Sequence, residues 1–586
     1  MAGKVIGIDL GTSNSVVAAV VGGKPQVIPD EEGRTIHPSV VSFLPGGDVI
    51  VGQKASARKV VDPINTAYSV KRLIGRPFHS HEVRVAQSHY PYQVVCGSDN
   101  NPKLLVQGQE YSPEEISALV LRRMKHIAEV YLGQQVDRAV ITVPANFNEA
   151  QRYATKAAGE IAGLDVLRIL NEPTAAALAY GYGEQKRETV AIYDFGGGTF
   201  DITVLSLRGS VFEVLSTAGD TYLGGDDFDN RLVDYMVAAF KHKHGYDLSN
   251  EIIALQRLKN IAERLKIELA RKDKVAVHIK EIIPGSPQPV TLSFSITREG
   301  FNERCMDIVR KSFVVCDEAM RLAGLTTSQV DHVVLVGGST KIPLVNEMVS
   351  HYFSRPPVGN VNPDEVVAVG AAIYASSLDQ QYYVEPSSSA SMAGFGQVAP
   401  PPIPGSGMPI AMGPPPIPGS VAPPPIPGMA GPTDATGIMH EALLIDVTPR
   451  GLGVATAGGF CDPFIERNEN IPTERKRIFT TSQDNQNSVR IKVMEGESRR
   501  SEENNLLGEL VLDNLRLAPR GDVRIEVTFE VDTNGILNVS AVDQETHQRQ
   551  SARLNLSGGM DNDEIARLAA RNRDTEVLGD MPDILP

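Results

Sequence analysis

The stretch that decides the fold is Asp194-Phe195-Gly196-Gly197-Gly198-Thr199-Phe200-Asp201, entered from the apolar run Val190-Ala191-Ile192-Tyr193. It reads as a buried strand, an acidic residue, and a tight glycine turn carrying a threonine hydroxyl. With no Cβ in the way, backbone N–H groups of such a turn can close around phosphate oxygens. The aspartate supplies hard oxygen for Mg²⁺ or its waters. One Asp-Gly turn after a strand is usually only a hairpin. The pattern recurs far upstream, however, as Asp9-Leu10-Gly11-Thr12 after Val5-Ile6-Gly7-Ile8. Two copies on two β-rich units predict two lobes with one nucleotide between them.

A third turn points the same way. Val333-Val334-Leu335-Val336 runs into Gly337-Gly338-Ser339-Thr340-Lys341-Ile342-Pro343, a strand, a diglycine turn and a helix start where backbone can approach a ligand. Neither a Walker pattern nor a well-placed GxGxxG fingerprint is present, which argues against P-loop and Rossmann enzymes.

Seven segments resemble the DnaK-type 70-kDa heat-shock chaperone family in order and spacing. They are Asp9 to Ser15 (DLGTSNS), Lys71 to Arg76 (KRLIGR), Ile141 to Asn148 (ITVPANFN), Asn171 to Ala177 (NEPTAAA), Asp194 to Asp201, Gly337 to Pro343, and Asn362 to Ala372 (NPDEVVAVGAA). The resemblance runs from Met1 to about Leu378 and resumes from about Glu441 to Arg573. It implies an α/β, actin-like (ribonuclease H-like), two-lobed ATPase domain over 1–378. An antiparallel β-sandwich that grips unfolded peptide follows over 441–558, and a short helical remnant over 559–586. Its cofactors would be ATP or ADP with Mg²⁺, and K⁺ as a further cation. Its partners would be unfolded or extended hydrophobic peptides, a J-domain co-chaperone and a nucleotide-exchange factor.

Composition agrees with that reading. A chain of 586 residues predicts several domains with large cores. A net charge of −15 argues against nucleic acid as the main partner. The four cysteines, Cys96, Cys305, Cys316 and Cys461, show no CxxC and no metal spacing, and read as buried small hydrophobes in a reducing compartment. The start MAGKVIGIDLG lacks signal-peptide character, and no apolar run reaches the length of a membrane helix, so a cytoplasmic protein without membrane attachment is expected.

Residues 379–440 read differently. Between Pro386 and Thr433 there are no charged residues, and Pro-Pro-Pro-Ile-Pro-Gly begins at Pro400, Pro414 and Pro423. Such a segment predicts a flexible, largely polyproline-II tether, extended at about 3.1 Å per residue. It is either an inert spacer or a dock for a polyproline-binding partner. The family linker is usually short, so interdomain coupling is put in question. Leu443-Leu444-Ile445-Asp446-Val447-Thr448-Pro449 follows. It is either the family linker that docks on the ATPase domain or the first strand of the next sheet.

Site roles come from the resemblance. Asp9 and Asp194 hold Mg²⁺, largely through water, while Gly11, Thr12, Ser13, Gly196, Gly197 and Gly198 cradle phosphates. Lys71 contacts the γ-phosphate and attacking water. Thr199 offers a hydroxyl, and Glu172 and Asp201 are the carboxylates near that water. On residue grounds alone, Lys71 could be a surface charge and Glu172 a helix N-terminal acid before Pro173. Glu263, Lys266, Gly337, Gly338 and Ser339 flank adenosine. Ala270 replaces a family serine, which predicts weaker nucleotide affinity. Pro144 and Arg152 match the relay to the linker residues Leu443, Leu444, Ile445 and Asp446, but Asn146 stands where the family usually has tyrosine.

Beyond the linker, Ser488 to Met494, Gly508 to Leu515, Val523 to Val531 and Gly535 to Val542 alternate as antiparallel strands. Val454, Phe479, Val489 and Ile491 match the family's peptide pocket. Ala457 and Ser482 take the arch positions, which predicts a looser enclosure. After Gly559 only one helical stretch, about Asp561 to Asp574, is expected. The usual lid and acidic EEVD tail are missing, so bound peptide should leave fast. Two other classes remain open. A sugar kinase would share the paired phosphate loops but not the C-terminal module. A nucleotide-regulated scaffold with weak or uncoupled ATPase would act through the polyproline tether.

Overall fold

The computed structural model describes residues 4–181, 187–283, 290–384, 443–456, 458–547, 549–553 and 560–578. Most of the Pro-rich tether, with its three repeats, lies outside them, as does Ala457.

The two phosphate-turn motifs open two sheets of the same topology. In the first, Lys4–Leu10 pairs in parallel with Val136–Val143, which pairs with Asp165–Asn171; on its other side it pairs antiparallel with Asn14–Val21. In the second, Arg187–Phe195 pairs in parallel with His332–Val336 and antiparallel with Phe200–Arg208, which continues to Val211–Asp220. The central strands are near-continuous apolar runs because helices cover the sheets. Asp9 and Asp194 therefore emerge at equivalent strand ends.

Two helices, Glu172–Gly181 and Val366–Val384, pack together where the lobes meet. A Cβ on Gly370 would lie 1.7 Å from the Ala175 carbonyl oxygen, so only glycine allows that crossing. Gly7 plays the same part, with a Cβ position 2.2 Å from the Ala372 nitrogen. The second of these helices continues past Leu378 to Val384, since no Pro or Gly stops it before Pro386.

The C-terminal module is a sandwich of two four-stranded antiparallel sheets. One contains Leu452–Thr456, Phe460–Ile465, Ser488–Glu495 and Asn505–Asp513; the other Thr473–Thr480, Arg524–Val531, Leu537–Asp543 and Arg549–Arg553. Val493, Leu512, Ile525, Val527 and Phe529 fill the space between them.

Leu443–Val447 docks on the second lobe as an added strand of its sheet and belongs to neither sheet of the sandwich, so it is not the first strand of the next sheet. Leu443 to Ile445 pair in parallel with Val211 to Glu213 of the second lobe, and Asp446 and Val447 pair antiparallel with Ile471 and Asn470. The sandwich is seated on the two lobes: Leu537 N–H donates to Glu149 Oε1 at 2.8 Å, Ile169 N–H to Asn534 Oδ1 at 3.2 Å, and Arg467 pairs with Glu318 at 2.5 Å.

The helix Asn562–Asp574 does not cover the sandwich. Its apolar stripe, Ile565 and Leu568 with nearby Met560, enters the core of the first lobe against the helices Pro113–Leu132 and Glu149–Ile161. Arg571 lies over the Tyr111 ring and pairs with Glu115 at 3.1 Å. Val577–Leu578 then adds a parallel strand beside Val49–Val51. Among the described residues no helix is long and apolar enough to cross a membrane. Cys305, Cys316 and Cys461 are buried, but Cys96, at the end of the strand Gln93–Cys96, is exposed.

Candidate functional site

The two turns face one another across a cleft of about 310 Å³, within the range of small-molecule sites. The approach is close because it is built from glycine. A Cβ on Gly197 would lie 2.0 Å from Ser13 Oγ, and one on Gly198 would lie 2.6 Å from the Thr12 methyl carbon. Behind the second turn, Gly225 and Asp226 donate backbone N–H groups to the carbonyls of Gly196 and Gly197 at 3.0 and 2.8 Å. Ser339 Oγ donates to the Gly196 carbonyl at 2.8 Å, which brings the third turn onto the second. Gly337 sits at φ 81°, a conformation that glycine adopts without strain.

Lys71 is buried, and its Nζ donates to the Leu10 carbonyl at 2.5 Å and to Glu172 Oε1 at 2.6 Å. The surface-charge alternative for Lys71 therefore falls. Thr142 Oγ1 donates to Asp9 Oδ1 at 3.1 Å. The Asn146 N–H donates to Asp201 Oδ1 at 3.1 Å. Burial, then repulsion from Glu172, pushes the Asp9 carboxyl up to about 7 and Asp201 to about 8. The same causes raise Asp194 well above the ordinary carboxylate range. Four buried acids therefore share one lysine, a donor set that favours added positive charge. Among the described residues no three His, Cys, Asp or Glu side chains converge as a direct chelate. Asp9 and Asp194 both line the cleft, and two carboxylates there would suit Mg²⁺, which keeps several of its waters.

The residues expected to flank adenosine, Glu263, Lys266, Gly337, Gly338 and Ser339, all line the cleft. Lys266 Nζ bonds Asp229 Oδ2 at 2.8 Å and the Gly225 carbonyl at 3.1 Å. Ala270 ends the helix Ile252–Leu269 that carries Glu263 and Lys266.

Several residues were missed by sequence reasoning. Arg72 donates to the Gly198 carbonyl at 3.0 Å and pairs with Asp227 at 3.2 Å. Its neighbour Asp226, although buried, is held below the ordinary carboxylate range, chiefly by Arg72 and then by Lys259 and Lys266. Gly224 is also essential: a Cβ there would lie 2.5 Å from the Gly197 carbonyl oxygen. The signals were the Arg beside Lys71 and the run Gly224-Gly225-Asp226-Asp227.

A polar chain leads from the cleft to the linker. The buried Pro144 sits in the loop before the helix Glu149–Ile161. Arg152 donates to the Phe147 and Ala145 carbonyls at 3.0 and 2.9 Å and to Asn171 Oδ1 at 2.7 Å. Asn171 Nδ2 donates to Asp446 Oδ2 at 2.8 Å, and Thr174 Oγ1 donates to the same oxygen at 3.3 Å.

The sandwich positions divide. Val454 and Ile491 are buried in the core, Phe479 and Val489 are partly exposed against it, and Ser482 is exposed with its hydroxyl on Gln486 Oε1. A family model described as Hsp70 protein matches residues 5–386 and 433–578.

Proposed function

The chain belongs to the Hsp70 family, and on that premise we propose that binding and hydrolysis of Mg-ATP between its lobes regulate the capture of exposed hydrophobic segments by its β-sandwich. Members of the family are ATPases and ATP-dependent chaperones that bind unfolded peptides, J-domain co-chaperones and nucleotide-exchange factors. The observation that carries the coupled reading is the strand Leu443–Val447, which extends the second-lobe sheet and pairs on its other side with Asn470–Ile471, a short strand of the C-terminal module at the end of that same sheet.

In this reading the glycine turns hold the phosphates with backbone N–H groups, and Thr12 and Thr199 add hydroxyls. Lys71, anchored by Leu10 and Glu172, presents its ammonium to the terminal phosphate. Asp9 and Asp194 would hold a Mg²⁺ largely through water, which when bound, with K⁺ as a further cation, would supply positive charge for the phosphate oxygens. Asp201 or Glu172 takes the proton of the attacking water as its oxygen bonds to phosphorus and the bridging P–O bond breaks. Burial, then Glu172, raises the Asp201 carboxyl, which makes it the stronger proton acceptor when ionised.

The test is ATP turnover with and without an unfolded hydrophobic peptide. Peptide should stimulate hydrolysis. Lys71→Ala should lower it roughly 10²- to 10³-fold, as expected when a preorganised charge at the transition state is lost. Hydrolysis indifferent to peptide would favour the scaffold reading, whose polyproline repeats lie outside the described residues.

A further inference from the structure

The loop Pro144-Ala145-Asn146-Phe147-Asn148 leaves the first lobe and touches the second at Asn146. Asn146 is buried, at 8% exposure. Its backbone N–H holds Asp201 Oδ1 at 3.1 Å, and its side-chain Nδ2 donates to the Gly219 carbonyl at 2.8 Å. Asp201 and Gly219 are register partners on adjacent second-lobe strands. A Cβ on Gly219 would lie 2.3 Å from Asp201 Oδ1 and 3.0 Å from Asn146 Cβ. The carboxylate, the asparagine and the bare glycine therefore form one closed contact across the lobes.

We propose that Asn146 is a positioning residue that aims Asp201 and makes that aim depend on linker docking. The inference rests on the ATPase reading above and goes beyond it in assigning this step to Asn146. With Oδ1 engaged, Oδ2 is the oxygen through which Asp201 can accept a proton. The side-chain amide fixes the loop to the second lobe, so that the N–H stays on Oδ1. The two peptide carbonyls flanking Asn146, those of Ala145 and Phe147, are both held by Arg152. Arg152 is held in turn by Asn171, and Asn171 binds Asp446 of the linker strand. Linker release removes the partner of Asn171, frees Arg152 to turn, and lets the peptide planes on either side of Asn146 rotate. The N–H then leaves Asp201. At the position where the chain departs from its family, a short amide thus supplies a direct cross-lobe hydrogen bond.

The test uses the full chain with three substitutions. Asn146→Asp keeps the shape but loses the donor; Asn146→Ala loses both; Gly219→Ala drives a methyl towards Asp201. Single-turnover hydrolysis should fall roughly ten- to a hundredfold in each, the scale of a small misplacement at a reacting centre. ADP affinity should stay near wild type for Asn146→Ala, which removes the donor without burying a new charge. A second readout does not depend on turnover. The side-chain amide resonance of Asn146, identified by its loss in Asn146→Asp, should shift in Asp446→Asn. Wild-type hydrolysis by Asn146→Asp, or a rate loss matched by lost ADP affinity, would overturn the proposal. If the wild-type chain shows no Lys71-dependent hydrolysis, the ATPase reading fails instead. The amide resonance then decides the clamp: unmoved by Asp446→Asn, it refutes the link to the linker.

Discussion

Lys71 in the nucleotide cleft is 6% exposed and bonded to two oxygens, whereas Leu517 on the sandwich is 64% exposed. The contrast extends to their surroundings. In the cleft, charged side chains are held by second partners and the backbone is brought together by glycines. On the sandwich, the positions matched to peptide binding are partly core and partly open, and Phe460, Ile478 and Leu506 are also exposed. Positioning one phosphate demands a preorganised, unyielding site. Gripping varied extended chains tolerates looseness and needs apolar surface left open. A single added methyl should therefore be ruinous in one region, while removing a whole ring from the other should cost little.

The sharpest way to break that comparison is Gly224→Ala. The new Cβ would lie 2.5 Å from backbone atoms of Gly197 and Gly198, which cannot swing aside as a side-chain tip would. The second phosphate turn must move. ADP affinity, read by calorimetry, should fall at least about a hundredfold, on the scale of losing two charge-assisted hydrogen bonds. Retained affinity would show that the cleft yields and would erase the contrast.

How much of this was legible follows from where the signals lie along the chain. The phosphate turns could be read because strand, aspartate and glycines are contiguous. Lys71 and Glu172 needed the family resemblance, since a lone lysine or a helix-initial acid says nothing of its partner. Arg72 and Gly224 were passed over because their function is to hold Gly198 and Gly197, which are distant in sequence. The Asn146–Gly219 bond was illegible for the same reason. Leu443–Val447 read as a strand with two claimants, and local pattern could not reveal that it joins the second-lobe sheet instead of a sandwich sheet. The C-terminal helix was legible as a helix. Its apolar stripe did not say that the first ATPase lobe, not the sandwich, would bury it.

Between the two regions lies the seam, which should show intermediate sensitivity. Glu149 begins the helix that carries Arg152 and is buried against Leu537. Burial, reinforced by Glu495 and Asp532 and opposed by the Leu537 N–H and Arg152, pushes its carboxyl up to about 8 from an ordinary 4.5. The docked state therefore binds this proton more tightly than the separated one. Its contribution to docking is fully present below about 4.5 and is lost as pH rises towards about 8, by up to tenfold per pH unit. Energy transfer between dyes on the first lobe and the sandwich should fall from pH 6 to pH 8. Glu149→Gln, which stays neutral, should flatten that profile. An unchanged profile in Glu149→Gln would place the pH dependence elsewhere in the seam.

Phe479→Ala should have the smallest effect. Phe479 stacks on Phe464 with ring centroids 5.9 Å apart, and Phe464 stacks on Phe529 at 4.3 Å. It is the outermost ring of that stack, partly exposed, while Val454 and Ile491 lie in the core. Removing it deletes one aromatic pair, worth about 0.5–1.5 kcal/mol, and leaves the inner rings packed. Melting temperature should drop by only a few degrees. Peptide affinity should fall roughly threefold to tenfold if the open face of the ring meets the peptide, since that change corresponds to about 0.7–1.4 kcal/mol. Val454→Ala should do the reverse, lowering stability by about 1–3 kcal/mol through a core cavity with little direct effect on affinity. If Phe479→Ala destabilised the sandwich and left peptide binding untouched, Phe479 would be core like Val454. The open face of the sandwich would then owe its apolar character to other residues.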